Sequence, residues 1–103
     1  MTSERYQVIL LDGAQRDGAR IPSLKPRISK ALLTLKERPD RGHPLAGPLS
    51  GCRSLVLSHS QGGYRAVYLV QAETCRCFIL AIGPHATVYD VAARRYATLG
   101  DEI

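Results

Sequence analysis

Short runs of β-forming residues flank one long segment with helical spacing. "YQVILL", residues 6–11, is dense in aromatic, branched and aliphatic side chains and predicts a first strand. The stretch "DGAQRDGARIP" that follows is polar and carries glycines, so it predicts at best a short, poor helix. From Ser23 the period changes. In "SLKPRISKALLTLKERP", Leu24, Ile28, Leu32 and Leu35 recur at helical spacing with Ala31 beside them, which draws an apolar stripe down one side of a helix. Ser23 suits its N-cap, Pro26 is tolerated in the first turn, where an N–H has no helical partner anyway, and Pro39 stops it. Lys25, Lys36 and nearby basic groups lie on the other side and read as a solvated face.

"DRGHPLAGPLSG", residues 40–51, is too rich in Gly and Pro for regular structure and predicts an irregular crossing loop. Three strand-like runs follow: "RSLVL" at 53–57, "YRAVYLV" at 64–70 and "CRCFILAI" at 75–82. Their links, "SHSQGG" and "QAET", are of hairpin length, so the runs predict an antiparallel meander. The third run has almost no polar interruption, which suits a strand covered on both faces. "TVYDVAARRYATL" reads as a short last strand turning into a helix. The order predicts an α+β fold, with helices packed on one face of a mainly antiparallel sheet and the opposite face left open for a partner. At 103 residues the chain is expected to be a single domain, 1–103, with one core that needs neither metal nor disulfide. The 45% hydrophobic fraction argues against disorder.

Charge sharpens the expectation about partners. Lysine and arginine number 14 against 9 acidic residues, a formal charge of +5, which favours a polyanion: nucleic acid or an acidic protein segment. Binding of RNA by such a surface would weaken as salt rises. The three cysteines, Cys52, Cys75 and Cys77, cannot all pair within one chain. No apolar run has the length of a signal peptide or a membrane span, so a cytoplasmic location and no membrane partner are expected. Cys75 and Cys77 would share a face of a strand, and no second pair at zinc-like spacing accompanies them. Buried thiols, no metal site and no cofactor are the expectation.

The succession "PDRGHPLAGPLSG", "RSLVLSHSQGGYRAVYLV", "CFILAIGPHATVYDVAARR" resembles the RelE/ParE superfamily of bacterial type II toxins, from the first strand to about Leu99. The resemblance implies the RelE-like toxin fold, akin to the microbial ribonucleases, and a cognate antitoxin as partner. RelE-like members are endoribonucleases that cut mRNA on the ribosome, whereas ParE-like members share the fold and poison DNA gyrase. Metal-independent RNA cleavage uses the neighbouring 2′-hydroxyl as nucleophile, so the protein supplies a base, an acid and cations that meet charge on the phosphate.

On this resemblance Arg65, in the "YR" strand, contacts the scissile phosphate, a role its forked guanidinium suits. Tyr89 matches a tyrosine near sugar and phosphate, able to stack on a base or exchange a proton. His85 falls where relatives carry arginine or histidine, and an ordinary imidazole titrates near pH 6.5. His59 and His43 are further proton acceptors to weigh. The lysines of the best-known RelE pattern align with Ser54 and Val56, neither of which is a base or a cation. Arg53 would point away from Ser54 in a regular strand and replaces that charge only through a bulge. Arg53, Arg94 and Arg95 are assigned to RNA phosphates. The resulting expectation is a ribosome-dependent mRNA endoribonuclease with Arg65, His85 and Tyr89 as its site. The alternative is a ParE-like, gyrase-binding poison without nuclease activity.

Overall fold

In a computed structural model the described residues are 5–59 and 63–99. They form β1 (Gln7–Leu10), α1 (Asp12–Ala19), α2 (Lys25–Glu37), β2 (His43–Pro44), β3 (Cys52–Ser58), β4 (Tyr64–Gln71), β5 (Arg76–Pro84) and α3 (His85–Leu99). The sheet order is β1-β5-β4-β3-β2. Strands β2 to β5 pair antiparallel in succession, and β1 lies parallel to β5. The meander and the mainly antiparallel α+β fold are therefore as the sequence predicts. The tip of the β3–β4 link, Ser60 to Gly62 of "SHSQGG", lies outside the described residues.

Alternation along β4 separates two cores. Ala66, Tyr68 and Val70 pack toward Ala14 of α1 and Ala31 and Leu35 of α2. Val67 and Leu69 pack the other way, toward Val88, Ala92 and Leu99 of α3. The expectation of helices on one face thus needs correction, because α3 covers part of the second face. Its start differs too: the helix begins at His85, directly after β5, where the sequence suggested a short strand first. Thr87, Val88, Tyr89 and Val91 favour strands by local propensity, but Val88, Ala92 and Leu99 fall on one side of a helix, and burying that side decides the conformation. Burial of a side chain such as Val67, Ile79 or Leu80 contributes roughly 1.5–3 kcal/mol each, more than any propensity difference.

β5 is buried from Cys77 to Gly83, as a strand between two layers must be. Cys75 precedes it in a left-handed conformation (φ 54°), so Cys75 and Cys77 do not share a strand face as expected. Cys52 and Cys77 are buried, and burial pushes both thiols up to about 11. No group of His, Cys, Asp and Glu able to hold a metal occurs among the described residues, and none of their helices is long and apolar enough to cross a membrane.

Candidate functional site

The site is built from the end of β4. Gly63 opens that strand with φ +81°, and a Cβ there would sit 2.7 Å from Nη1 of Arg65, so only glycine lets the guanidinium fold back over the turn. Arg65 is half-buried, and its Nη1 donates a long bond of 3.4 Å to the Tyr64 carbonyl. By alternation it shares the α3 side of the sheet with Val67.

The Gly63 carbonyl accepts the His85 N–H at 3.0 Å, which ties the first residue of α3 to the turn under Arg65. One helical turn later, Tyr89 meets the His85 ring edge-on, with centroids 5.4 Å apart and planes at 86°. The Tyr89 hydroxyl lies 3.0 Å from Oγ of the buried Ser54 on β3, and either can donate. Arg65, His85, Tyr89 and Ser54 are thus linked in one chain of contacts across one end of the sheet. Val56 is the register partner of Arg65 and is 43% exposed, an apolar side chain open to solvent beside a cation. His43, exposed on β2, is the register partner of Ser54, and cross-strand partners project from the same face. The fold therefore sets this imidazole beside the hydroxyl that holds Tyr89.

The other basic residues singled out from the sequence have different places. Nη1 of Arg53 donates to the carbonyls of Asp40 (3.2 Å) and Gly42 (2.7 Å) and braces the crossing loop. The β3 irregularity falls between Val56 and Ser58, too late to turn Arg53 toward Ser54. Arg95 grips both oxygens of Asp17, at 2.7 and 3.2 Å, and donates to the Leu80 carbonyl at 2.8 Å. Leu80 is the extra residue of a bulge in β5, since Val67 pairs with Ala81 and Tyr68 with Ile79. Arg94 is exposed on α3, and His59 is exposed at the end of β3.

Sequence reasoning missed two anchors. Asp17 also accepts the Ile82 N–H at 3.0 Å. Burial pushes its carboxyl up, but the Arg95 hydrogen bonds, the Ile82 amide and the charges of Arg95 and Arg20 outweigh that and hold it below the ordinary carboxylate value. Buried Tyr68 donates to the Pro39 carbonyl at 2.7 Å and accepts the Gly42 N–H at 2.8 Å, and burial pushes its phenol up. A Cβ on Gly42 would lie 2.6 Å from that hydroxyl, so the crossing loop can seat here only with glycine. Only the glycine beside "YR" was a local signal; the Asp17–Arg95 contact spans 78 positions and leaves none.

A five-stranded mixed sheet of this order with helices packed on it is the RelE-like toxin architecture. The chain belongs to the family described as "ParE toxin of type II toxin-antitoxin system, parDE", which matches residues 8–89. It is similar to the E. coli toxin RelE, solved as an arginine double mutant in the free state: 26% identity over 88% of this chain and 97% of that one, with a TM-score of 0.73. It is also similar to a chain of the toxin-antitoxin complex RelBE2 from Mycobacterium tuberculosis, with 30% identity, coverage of 82% and 97%, and a TM-score of 0.60. A YoeB/ParE toxin from Agrobacterium tumefaciens shares the fold, at 20% identity, coverage of 77% and 98%, and a TM-score of 0.64. No curated protein sequence matches the chain. The protein is a toxin of a type II toxin-antitoxin system.

Proposed function

We propose that the protein is a ribosome-dependent mRNA endoribonuclease that acts in the cytoplasm and is neutralised by a cognate antitoxin. The observation that carries this reading is the linked corner of Arg65, His85 and Tyr89, held together through Gly63 and Ser54. Family membership supports the toxin role, and the toxin-antitoxin complex containing a relative at 30% identity supports an antitoxin partner.

In the proposed reaction the 2′-hydroxyl attacks the adjacent phosphorus while the bond to the 5′-oxygen of the next nucleotide breaks. A cyclic 2′,3′-phosphate and a 5′-hydroxyl result. Arg65 has free donors for the non-bridging oxygens, on which negative charge gathers. His85 and His43 are the imidazoles beside the corner, one to take the 2′-hydroxyl proton and the other to give one to the leaving oxygen. Tyr89, steadied by Ser54, offers its ring to a base. No covalent nucleophile from the protein is needed.

A gyrase-binding poison is the second reading, favoured by the family description and by Ser54 and Val56, which bring neither base nor charge. Brief expression in cells separates the two. Codon-positioned breaks in mRNA, reduced by Arg65→Ala and by His85→Ala, are expected. Intact messages with accumulating chromosomal breaks would overturn the nuclease reading, and codon-positioned cuts that persist at full rate in His85→Ala would remove His85 from proton transfer.

A further inference from the structure

A second basic feature lies across β3 from the linked corner. A cleft of about 280 Å³ runs between α2 and the outer edge of β3, and Arg27, Lys30, Arg41 and His59 line it together with Val56 and Leu57. Among the described residues no acidic one lines it. Arg27 and Lys30 are three apart on α2 and so share one side of that helix. None of Arg27, Lys30 and Arg41 enters an ion pair among the described residues, whose ion pairs are Arg5–Glu37, Arg38–Asp40 and Arg95–Asp17. Arg27 and Lys30 therefore form one wall of a cationic trough, on a side of α2 away from Lys25 and Lys36.

The trough is open along β3 because β2 is short. β2 pairs only with Arg53 and Ser54, so Leu55, Val56 and Leu57 meet no further strand on that edge among the described residues. Nη1 of Arg27 reaches the Leu57 carbonyl at 3.3 Å, which holds this arginine at the edge with donors to spare. Val56 forms the lip of the trough and is the register partner of Arg65; Arg65 lies on the α3 side of the sheet and the cleft on the α2 side, so the way from one to the other passes over the open edge of β3 at the exposed Val56.

We infer that this cleft binds the backbone of single-stranded RNA, with Arg27, Lys30 and Arg41 each meeting a phosphate of the nucleotides that run on from the one at Arg65. The inference rests on the RNA-cleaving reading and extends it to the neighbouring nucleotides. A repeating polyanion suits cations spread over two elements and an open-ended trough. An acidic protein segment would meet the same charges without using the continuity with Arg65.

The test is binding of 2′-O-methyl oligoribonucleotides, whose blocked nucleophile prevents cutting, by fluorescence anisotropy over a range of salt. For the variant R27Q/K30Q/R41Q, affinity for a decanucleotide should fall about 100-fold at 0.1 M salt, and the slope of log K against log salt should become shallower by about 2. A trinucleotide should bind within about threefold of wild type, because on the inferred path it is too short to extend from Arg65 into the cleft. R27K/R41K, which keeps the charges, should retain decanucleotide binding to within about threefold. A folded triple variant that binds the decanucleotide like wild type, or that loses the trinucleotide equally, overturns the inference. So does a polyglutamate peptide that binds the wild type more tightly than the decanucleotide and depends on the same three residues. Cleft-dependent RNA binding by a wild type that cuts no message would instead sink the nuclease reading and leave the cleft assignment standing.

Discussion

Arg95, on α3, and Arg65, on β4, are both partly buried arginines, yet the fold treats them oppositely. Arg95 has a bidentate carboxylate and a backbone carbonyl within 3.2 Å, so three of its five donors join α3 to α1 and to the β5 bulge and its charge is met by Asp17. Arg65 has one long bond to the carbonyl of its own neighbour. A guanidinium that the fold already satisfies has little left for a phosphate, whereas one held in place without strong partners is ready for an anion. Location in a basic protein says less about an arginine's work than which of its donors are still available.

The largest expected effect tests the available member of this pair. Arg65→Ala should lower RNA cleavage about 10²–10³-fold, while unfolding free energy stays within about 0.5 kcal/mol of wild type, measured by cleavage rate and urea unfolding. A variant that loses stability and keeps its rate would erase the distinction. Arg95→Ala should do the reverse: about 2–3 kcal/mol of stability lost through the uncompensated Asp17, a fall in Tm of more than about 8 °C, and little change in rate per folded molecule.

The Asp17–Arg95 contact also has a pH signature. Asp17 titrates below its unfolded value of about 3.9, so its stabilisation is fully present above that value and is lost as pH falls through the lower, folded one. Urea unfolding at a series of pH values should show the wild-type advantage over Asp17→Asn shrinking across that acid window; an advantage that stays constant would mean the carboxyl is not held down. Tyr68→Phe should cost about 1–2 kcal/mol, since it strands the Pro39 carbonyl and the Gly42 N–H, and thermal unfolding would register it. Tyr89→Phe should have the smallest effect, below about 1 kcal/mol in stability and less than about tenfold in rate, because the ring remains to stack. A much larger rate loss would give the phenol a role in proton transfer.

Periodicity made the strands and α2 legible, because Leu24, Ile28, Leu32 and Leu35 or the apolar run at Cys77 to Ile82 report directly which side is covered. It did not show that α3 crosses to the second face or starts at His85, since packing against Val67 and Leu80, not local propensity, fixes both. Arg65, His85 and Tyr89 were visible as residue types in an order; that Gly63 and Ser54 fasten them together was not, because those contacts join positions far apart in the chain. The same long range hid the partners of Arg53 and Arg95. Nothing within a few positions of either marks it as a brace.

The strand that joins β1 to the rest of the sheet is also the last strand in chain order among the described residues. β5 pairs with β1 on one side and β4 on the other, and α3, which carries His85 and Tyr89, follows it directly. A growing chain therefore holds its first strand without its neighbour until Arg76 to Ile79 are in place, and must then close a loop of most of the preceding chain, a slow kind of step. Until that closure, nascent or truncated chains lack the assembled corner, because His85 and Tyr89 are carried by the helix that follows β5.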